Sequence, residues 1–199
     1  MQERKRAFAV RPSSNSVGQD AAQSADALFR AHAGFVASFL RRVGTAGADV
    51  DDLVQEVFLV AHRKGGFVAG TGHPKSWLAA IALRVASTSR RSHSRRREDG
   101  GADLDVMSSP NADAARVLEA RAALRRVQQA LDTLSLDDRA TFVLYELEGL
   151  RCDAIAAAFE IPVGTAYSRL HNARKRFIEA HARLEREDSA VVRLRPARM

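Results

Sequence analysis

GLRCDAIAAAFEIPVGTAYSRLHNARKRF, residues 149–177, is the stretch that decides the fold. Ile155, Ala156 and Phe159 share one face of a short helix, Glu160-Ile161-Pro162 breaks it, and Gly164-Thr165 lies at the start of a second helix. There Ala166, Leu170, Ala173 and Phe177 recur at intervals of four, three and four residues, which makes one buried stripe. The opposite surface carries Thr165, Tyr167, Ser168, Arg169, His171, Asn172, Arg174 and Lys175. A short helix, a tight turn and a longer helix with a polar, basic outer face make a helix-turn-helix. Its second helix is expected in the major groove, with its N-terminal half at base edges. Tyr167, Ser168, His171 and Asn172 suit base edges, and Arg169, Arg174 and Lys175 suit phosphates. An ordinary helical hairpin with a solvated face has the same pattern, so the flanking sequence has to decide.

Upstream, helical spacing runs through Val117, Leu118, Leu124, Val127, Leu131 and Leu134, then Phe142, Val143, Leu144 and Leu147. Residues 98–115, EDGGADLDVMSSPNADAA, have no periodicity and are expected to be a linker. Before them, Leu28, Phe29, Phe35, Val36, Phe39, Leu40 and Val43 mark a first helix that ends near Gly44 and Gly47. Asp49 is expected to cap a second, which puts Leu53, Val54, Val57, Phe58 and Ala61 on one face and Asp51, Asp52, Gln55 and Glu56 on the other. Residues 65–74, GGFVAGTGHP, form a loop. Pro74 then suits the first turn of a third helix with Trp77, Leu78, Ile81, Ala82 and Val85 as its stripe, closing in SRRSHSRRR at 89–97. No segment alternates as a strand does. The expected fold is all-α: two small helical domains joined by a flexible acidic linker, the C-terminal one holding the helix-turn-helix. The boundaries are a disordered arm at 1–22, a first domain at 23–97, the linker at 98–118, a second domain at 119–185 and a tail at 186–199. Domains this small bury only about 60% of their unfolded surface, so each is expected to lean on a partner.

Composition narrows the function. Of 199 residues 46% are hydrophobic and 28% charged, a globular mixture. The single cysteine, Cys152, excludes an internal disulfide and a Cys-based zinc site, and is expected to be a small buried side chain. No apolar run approaches the roughly 20 residues of a membrane span, and Ala7 to Val10 is too short for a signal-peptide core. The expected setting is cytoplasmic. The net charge of +7 is unevenly spread: residues 65–97 carry seven basic and no acidic groups, 98–119 sum to −5, and 163–199 sum to +5. Two basic blocks separated by an acidic one suggest two contacts with a polyanion. The six histidines are scattered, and GGFVAGTG lacks the Lys-Ser/Thr of a phosphate loop. No catalytic site, metal or cofactor is expected, and His32, on the apolar stripe of the first helix, is expected to be packed.

Taken together, DDLVQEVFLVAHR (51–63), PKSWLAAIA (74–82), LDTLSLDDRATFVLYELEGL (131–150) and IPVGTAYSRLHNARKRF (161–177) resemble bacterial sigma factors of the extracytoplasmic-function group, across about residues 25–180. That resemblance implies an alternative sigma factor that binds core RNA polymerase and initiates transcription at promoter DNA. Asp52, Gln55 and Glu56 would then contact the polymerase clamp helices. The loop from Phe67 to His73 would hold a flipped base of the minus-ten element, and Arg84, Arg90, Arg91 and Arg95 would hold its backbone. Trp77 is expected in the core rather than as a stacking platform. The helix-turn-helix would read the minus-thirty-five element. The acidic linker would imitate nucleic acid near the RNA path, or serve as a plain tether. An anti-sigma partner is a further implication, and no membrane insertion is expected. Arg84 and Thr88 stand where relatives commonly carry Asn and Asp, and Arg151-Cys152 where relatives often have a small polar residue and an aromatic. The alternative reading is a free-standing helix-turn-helix regulator, which leaves DLVQEVF and the linker without a purpose.

Overall fold

The structure, a computed structural model, describes residues 23–45, 47–70, 72–96 and 114–194. The expected arm at 1–22, most of the acidic linker and the last five residues lie outside them. Seven α-helices are present among the described residues, and the only β-type pairing there is an isolated bridge between Gln23 and Phe67.

Helix α1, Ala25–Arg42, is started by Ser24, whose hydroxyl accepts a hydrogen bond from the Ala27 amide at 3.2 Å. It buries Leu28, Val36, Phe39 and Leu40. Helix α2, Val50–Arg63, buries Val50, Val54, Val57, Phe58 and Ala61, and Leu53, also expected on this stripe, is half-buried. Asp49 is not its side-chain cap. A short 3-10 turn at Gly47–Asp49 leads directly into α2 and holds Asp49 in the right-handed helical region, where a capping residue would be extended. Helix α3, Pro74–Arg96, crosses both, with Leu78, Ala79, Ile81, Ala82 and Ala86 buried. These three helices are the first lobe.

The second lobe begins at α4, Ala114–Asp132, so residues 114–118 belong to a helix and not to the linker. Leu124, expected on its buried face, is 68% exposed. Helix α5, Leu136–Phe142, is capped by Ser135 and runs into a five-residue π-helical segment, Val143–Leu147. Helix α6, Cys152–Phe159, ends with Glu160 in the left-handed conformation (φ 56°) and the Ile161 amide bonded to the Ala156 carbonyl at 3.0 Å, a Schellman-type stop. Helix α7, Val163–Leu194, runs on well past 185, where a tail was expected.

The lobes are not held apart. Helix α3 packs on α5 and α6, and the buried residues of both lobes form one continuous apolar cluster. Surface that each small domain would otherwise expose is covered by the other. At the seam Gly44 adopts φ +92°, and a Cβ there would sit 2.5 Å from Arg90 Nη2 and 2.6 Å from Arg139 Nη1. Arg139 is buried and bonds Asp132 at 2.8 Å.

His32 is half-buried, as its place on the α1 stripe predicts. Burial holds its pKa below the ordinary value, and Lys75 and His73 add to the effect. The unfolded chain therefore binds this proton at higher pH than the folded one, and folding is favoured as pH rises. Thermal stability is expected to fall as pH drops below about 6.5, the ordinary histidine value. The His32→Gln protein should lose that portion of the pH dependence in a melting series. An unchanged slope would remove His32 as its source.

Candidate nucleic-acid interface

The helix-turn-helix is assembled as its spacing predicts. Ile155 and Ala156 of α6 meet Ala166, Leu170 and Ala173 of α7, all buried, while Phe177 is half-buried and lies 4.9 Å, ring to ring, from Phe142. Truncating a fully buried side chain such as Ile155 costs about 2–5 kcal/mol. On the outer face Tyr167 is 59% exposed, and Ser168, His171, Asn172 and Lys175 are exposed with it, whereas Thr165 is half-buried. The Ser168 hydroxyl donates to the Gly164 carbonyl at 2.8 Å. Its lone pairs are then left to accept from a base amino group.

Two of the expected phosphate contacts are already engaged within the lobe. Arg169 pairs with Asp137 at 2.8 Å, and Arg174 pairs with Glu146 while its guanidinium lies 5.0 Å from the Tyr145 ring centroid. Both partners come from α5 and the π-helical segment. These arginines therefore brace α7 against the rest of the lobe; Arg169 is half-buried, while Arg174 and Lys175 are exposed.

In the first lobe, the expected base pocket is rearranged. Phe67 is only 4% exposed and faces Trp77 at 5.8 Å, so it seats the loop instead of touching a base. Both backbone groups of Phe67 are taken by Gln23, at 2.7 and 3.0 Å. Exposed Val68, Ala69, Gly70 and Gly72 form the outer rim. His73 caps α3: its Nδ1 accepts from the Lys75 amide at 3.2 Å and its carbonyl accepts from the Trp77 amide at 3.1 Å. Trp77 is half-buried against Phe67, the core role that the stripe predicts. Arg84, Arg90 and Arg91 are exposed along α3, and the side chain of Arg95 lies outside the described residues. Arg84 reaches Glu160 at 3.1 Å, and Arg90 donates to the Val43 carbonyl at 3.1 Å.

The acidic face of α2 is open. Asp52 and Gln55 are exposed, and Glu56 is half-exposed with Arg63 at 3.9 Å. Beside it lies an apolar groove of about 460 Å³ between α2 and α3, lined by Leu53, Val60, Ile81 and Val85, with Glu56, Lys64 and Arg84 at its margins. The spacing of DLVQEVF places its acids but does not disclose this groove, which depends on where α3 crosses.

Cys152 is buried, and burial pushes its thiol pKa up. That is the inert state of a packed cysteine. Among the described residues no cluster of His, Cys, Asp and Glu could hold a metal, and no helix is long and apolar enough to cross a membrane.

Residues 28–96 match the family described as Sigma-70 region 2, and residues 124–177 match Sigma-70, region 4. The chain is 31% identical over 150 residues to the ECF RNA polymerase sigma-E factor of Escherichia coli K12, covering 70% of this chain and 77% of that protein. It is 32% identical over 147 residues to the RNA polymerase sigma-H factor of Pseudomonas aeruginosa, covering 70% and 76%. The sigma factor RpoE of Bartonella quintana, solved with the anti-sigma factor NepR, shares the fold with a TM-score of 0.59 at 24% identity over 76% of this chain and 92% of that one. CnrH, solved with the cytosolic domain of CnrY, shares it with a TM-score of 0.52 at 23% identity over 78% and 85%. Region 2 is the lobe with the acidic α2 and basic α3, and region 4 is the lobe with the helix-turn-helix. The chain therefore belongs to the extracytoplasmic-function (ECF) sigma factors of the sigma-70 family, the factors with which RNA polymerase initiates transcription.

Proposed function

We propose that this sigma factor divides promoter recognition between its two lobes. The α2 face of Asp52, Gln55 and Glu56, with the adjoining groove, docks on core RNA polymerase. The rim of the 68–73 loop and the arginines of α3 open and hold the minus-ten strand, Arg95 among them. The outer face of α7 reads the minus-thirty-five duplex through Tyr167, Ser168, His171 and Asn172, with Lys175 on phosphate and Arg169 and Arg174 keeping the helix in place. The observation that carries this reading is the exposed outer face of α7, with Tyr167, Ser168, His171, Asn172 and Lys175 in solvent opposite the buried stripe Ala166, Leu170 and Ala173. Unstacking one base costs roughly a few kcal/mol, which protein contacts to the displaced strand offset. The chemistry of RNA synthesis belongs to the polymerase.

An anti-sigma partner belongs to the same reading, because the sigma factor RpoE of Bartonella quintana, which shares this fold, was solved with the anti-sigma factor NepR. The chain is expected to act in the cytoplasm, where the polymerase is.

Two experiments test the division. Purified chain should co-migrate with core polymerase in gel filtration; a dimer that ignores core and binds duplex alone would favour the regulator reading instead. On a promoter mapped by transcript start sites after overexpression, Ser168→Ala and Asn172→Ala should each lose about 1–3 kcal/mol of discrimination at one base pair. Lys175→Ala should weaken all duplexes alike and flatten the salt slope by about one unit. Equal losses on every sequence for all three variants would contradict base reading by α7.

A further inference from the structure

Helix α7 does not stop where the match to Sigma-70, region 4 stops. That match ends at residue 177, and α7 runs on to Leu194. Asn172, Arg176, Glu179, Arg183 and Arg186 recur at intervals of four, three, four and three residues, so one face of the helix carries them all. Beside the end of α4 this face borders a cleft of about 420 Å³, lined by Thr133, Arg176, Glu179, Ala180, Arg183 and Arg186. Ala180 is buried, and the Thr133 hydroxyl donates to the Ala130 carbonyl at 2.7 Å, so the guanidiniums are the side-chain donors left to a ligand. These arginines differ from others of the same lobe in lacking acids. Arg126, Arg139 and Arg169 each hold an aspartate at 2.8 Å. Among the described residues neither Arg176 nor Arg186 forms an ion pair, and Arg183 has only Glu187 at 3.7 Å, both side chains 61% exposed. Such a contact contributes little.

Three guanidiniums without strong partners thus line a cavity of ligand size, which ordinarily runs from about 300 to 1,000 Å³. Each guanidinium fork can pair with two phosphate oxygens. From Arg176 to Arg186 is ten residues, about 15 Å along the axis. That is more than one phosphate can bridge, and it suits a chain of them. The promoter duplex is not the occupant. With Asn172 at a base edge, Arg183 and Arg186 stand roughly 17 and 21 Å further along α7, outside a major groove about 12 Å wide. We propose that this cleft binds a linear oligophosphate, the chain of linked phosphates shared by inorganic polyphosphate and the tail of a nucleoside triphosphate. Arg176 holds one end of the chain, Arg183 and Arg186 hold the other, and Glu179 between them limits the affinity by repulsion. Arg176 also lies one turn from Asn172, beside the base-reading face. On the proposed reading of α7 as the duplex reader, an occupied cleft places negative charge next to the DNA backbone and weakens the minus-thirty-five contact.

The test is calorimetry on the whole chain at low salt, without polymerase or added metal, titrating sodium tripolyphosphate, adenosine triphosphate and orthophosphate in turn. Tripolyphosphate should bind, and orthophosphate should bind at least about tenfold more weakly. Arg183→Ala combined with Arg186→Ala should weaken tripolyphosphate by about thirtyfold or more, since two charge-assisted contacts are lost. Glu179→Gln should tighten it about threefold, a gain that a folding defect cannot imitate. Arg41→Ala combined with Arg125→Ala removes the same charge from exposed positions outside the cleft and should hold the parent's affinity within about twofold. Adenosine triphosphate binding more tightly than tripolyphosphate would make the source a nucleotide; equal or weaker binding would make it the inorganic chain. No binding of tripolyphosphate, orthophosphate binding as well as the chain, or equal losses in the two double variants would overturn the site. Saturating tripolyphosphate should also weaken a minus-thirty-five duplex on the parent and do so far less on the Arg183→Ala, Arg186→Ala protein; an equal effect on both would overturn the link to DNA. If the chain fails to support promoter-dependent transcription with core polymerase, the proposed function falls and the cleft stands; if transcription is supported and tripolyphosphate does not bind, only the cleft falls.

Discussion

Gly66→Ala is expected to destabilise the protein by about 3 kcal/mol and to lower its melting midpoint by roughly 6–12 °C. Gly66 sits at φ +88°, a region in which an L side chain is strained, and a Cβ there would lie 2.2 Å from the Gln23 carbonyl oxygen. That oxygen accepts the Phe67 amide, so the chain cannot relieve the overlap without giving up the Gln23–Phe67 bridge. Phe67 would then leave Trp77, and the loop ahead of α3 would lose its anchor. Gly70 is the internal control. It has the same φ of +88° but open space where the Cβ would stand, so Gly70→Ala should cost only the backbone term, about 1–2 kcal/mol. Equal losses in calorimetry for the two variants would show that the close approach to Gln23 does not matter.

The second large effect is on polymerase. Replacing Asp52 and Glu56 together with arginine should weaken binding to core at least about a hundredfold, since placing like charges across an interface costs several kcal/mol. Neither residue lies on the buried stripe of α2, so the helix should persist, with a small loss from removing an acid at its positive end. Asp51→Arg removes an equivalent first-turn acid that has no place in the docking face. It reports on helix stability alone. Unaltered core affinity in the double variant, or an equal loss in Asp51→Arg, would displace the docking surface from this face of α2.

How far the sequence discloses the structure depends on how local each decision is. The stripes Val54-Val57-Phe58-Ala61 and Ala166-Leu170-Ala173 are local, because period 3.6 and a short list of apolar residues determine which side is buried. The stop at Glu160-Ile161-Pro162 is equally local, although a glutamate in a left-handed position is not what composition predicts there. Leu124 fails because an apolar residue in register is not obliged to find a neighbour. Asp49 fails because a 3-10 turn, invisible to side-chain spacing, leads straight into α2.

The candidate site divides in the same way. On α7 Tyr167, Ser168, His171, Asn172, Arg174 and Lys175 are exposed as expected, since exposure opposite a stripe is a matter of helical angle, while Thr165 and Arg169 are half-buried. What charges do on that face follows from no such angle, because Arg169 and Arg174 answer to Asp137 and Glu146, roughly thirty residues earlier in the chain. Phe67 was expected at the DNA because the resemblance places the 67–73 loop at a flipped base, yet its bridge to Gln23 turns it inward. His73 serves the backbone of α3 first. The seam at Glu148 was legible nowhere, because Glu148 meets Arg42 and Lys75, 106 and 73 positions earlier in the chain. Only folding both lobes onto one core brings them together.

The most direct measurement is run-off transcription with purified core polymerase on a template that carries a mapped start site. Adding the chain is predicted to yield a transcript from that site and to lose it when the upstream elements are scrambled. A chain that leaves core polymerase silent, shows no affinity for it and binds duplex fragments unaided would contradict the account.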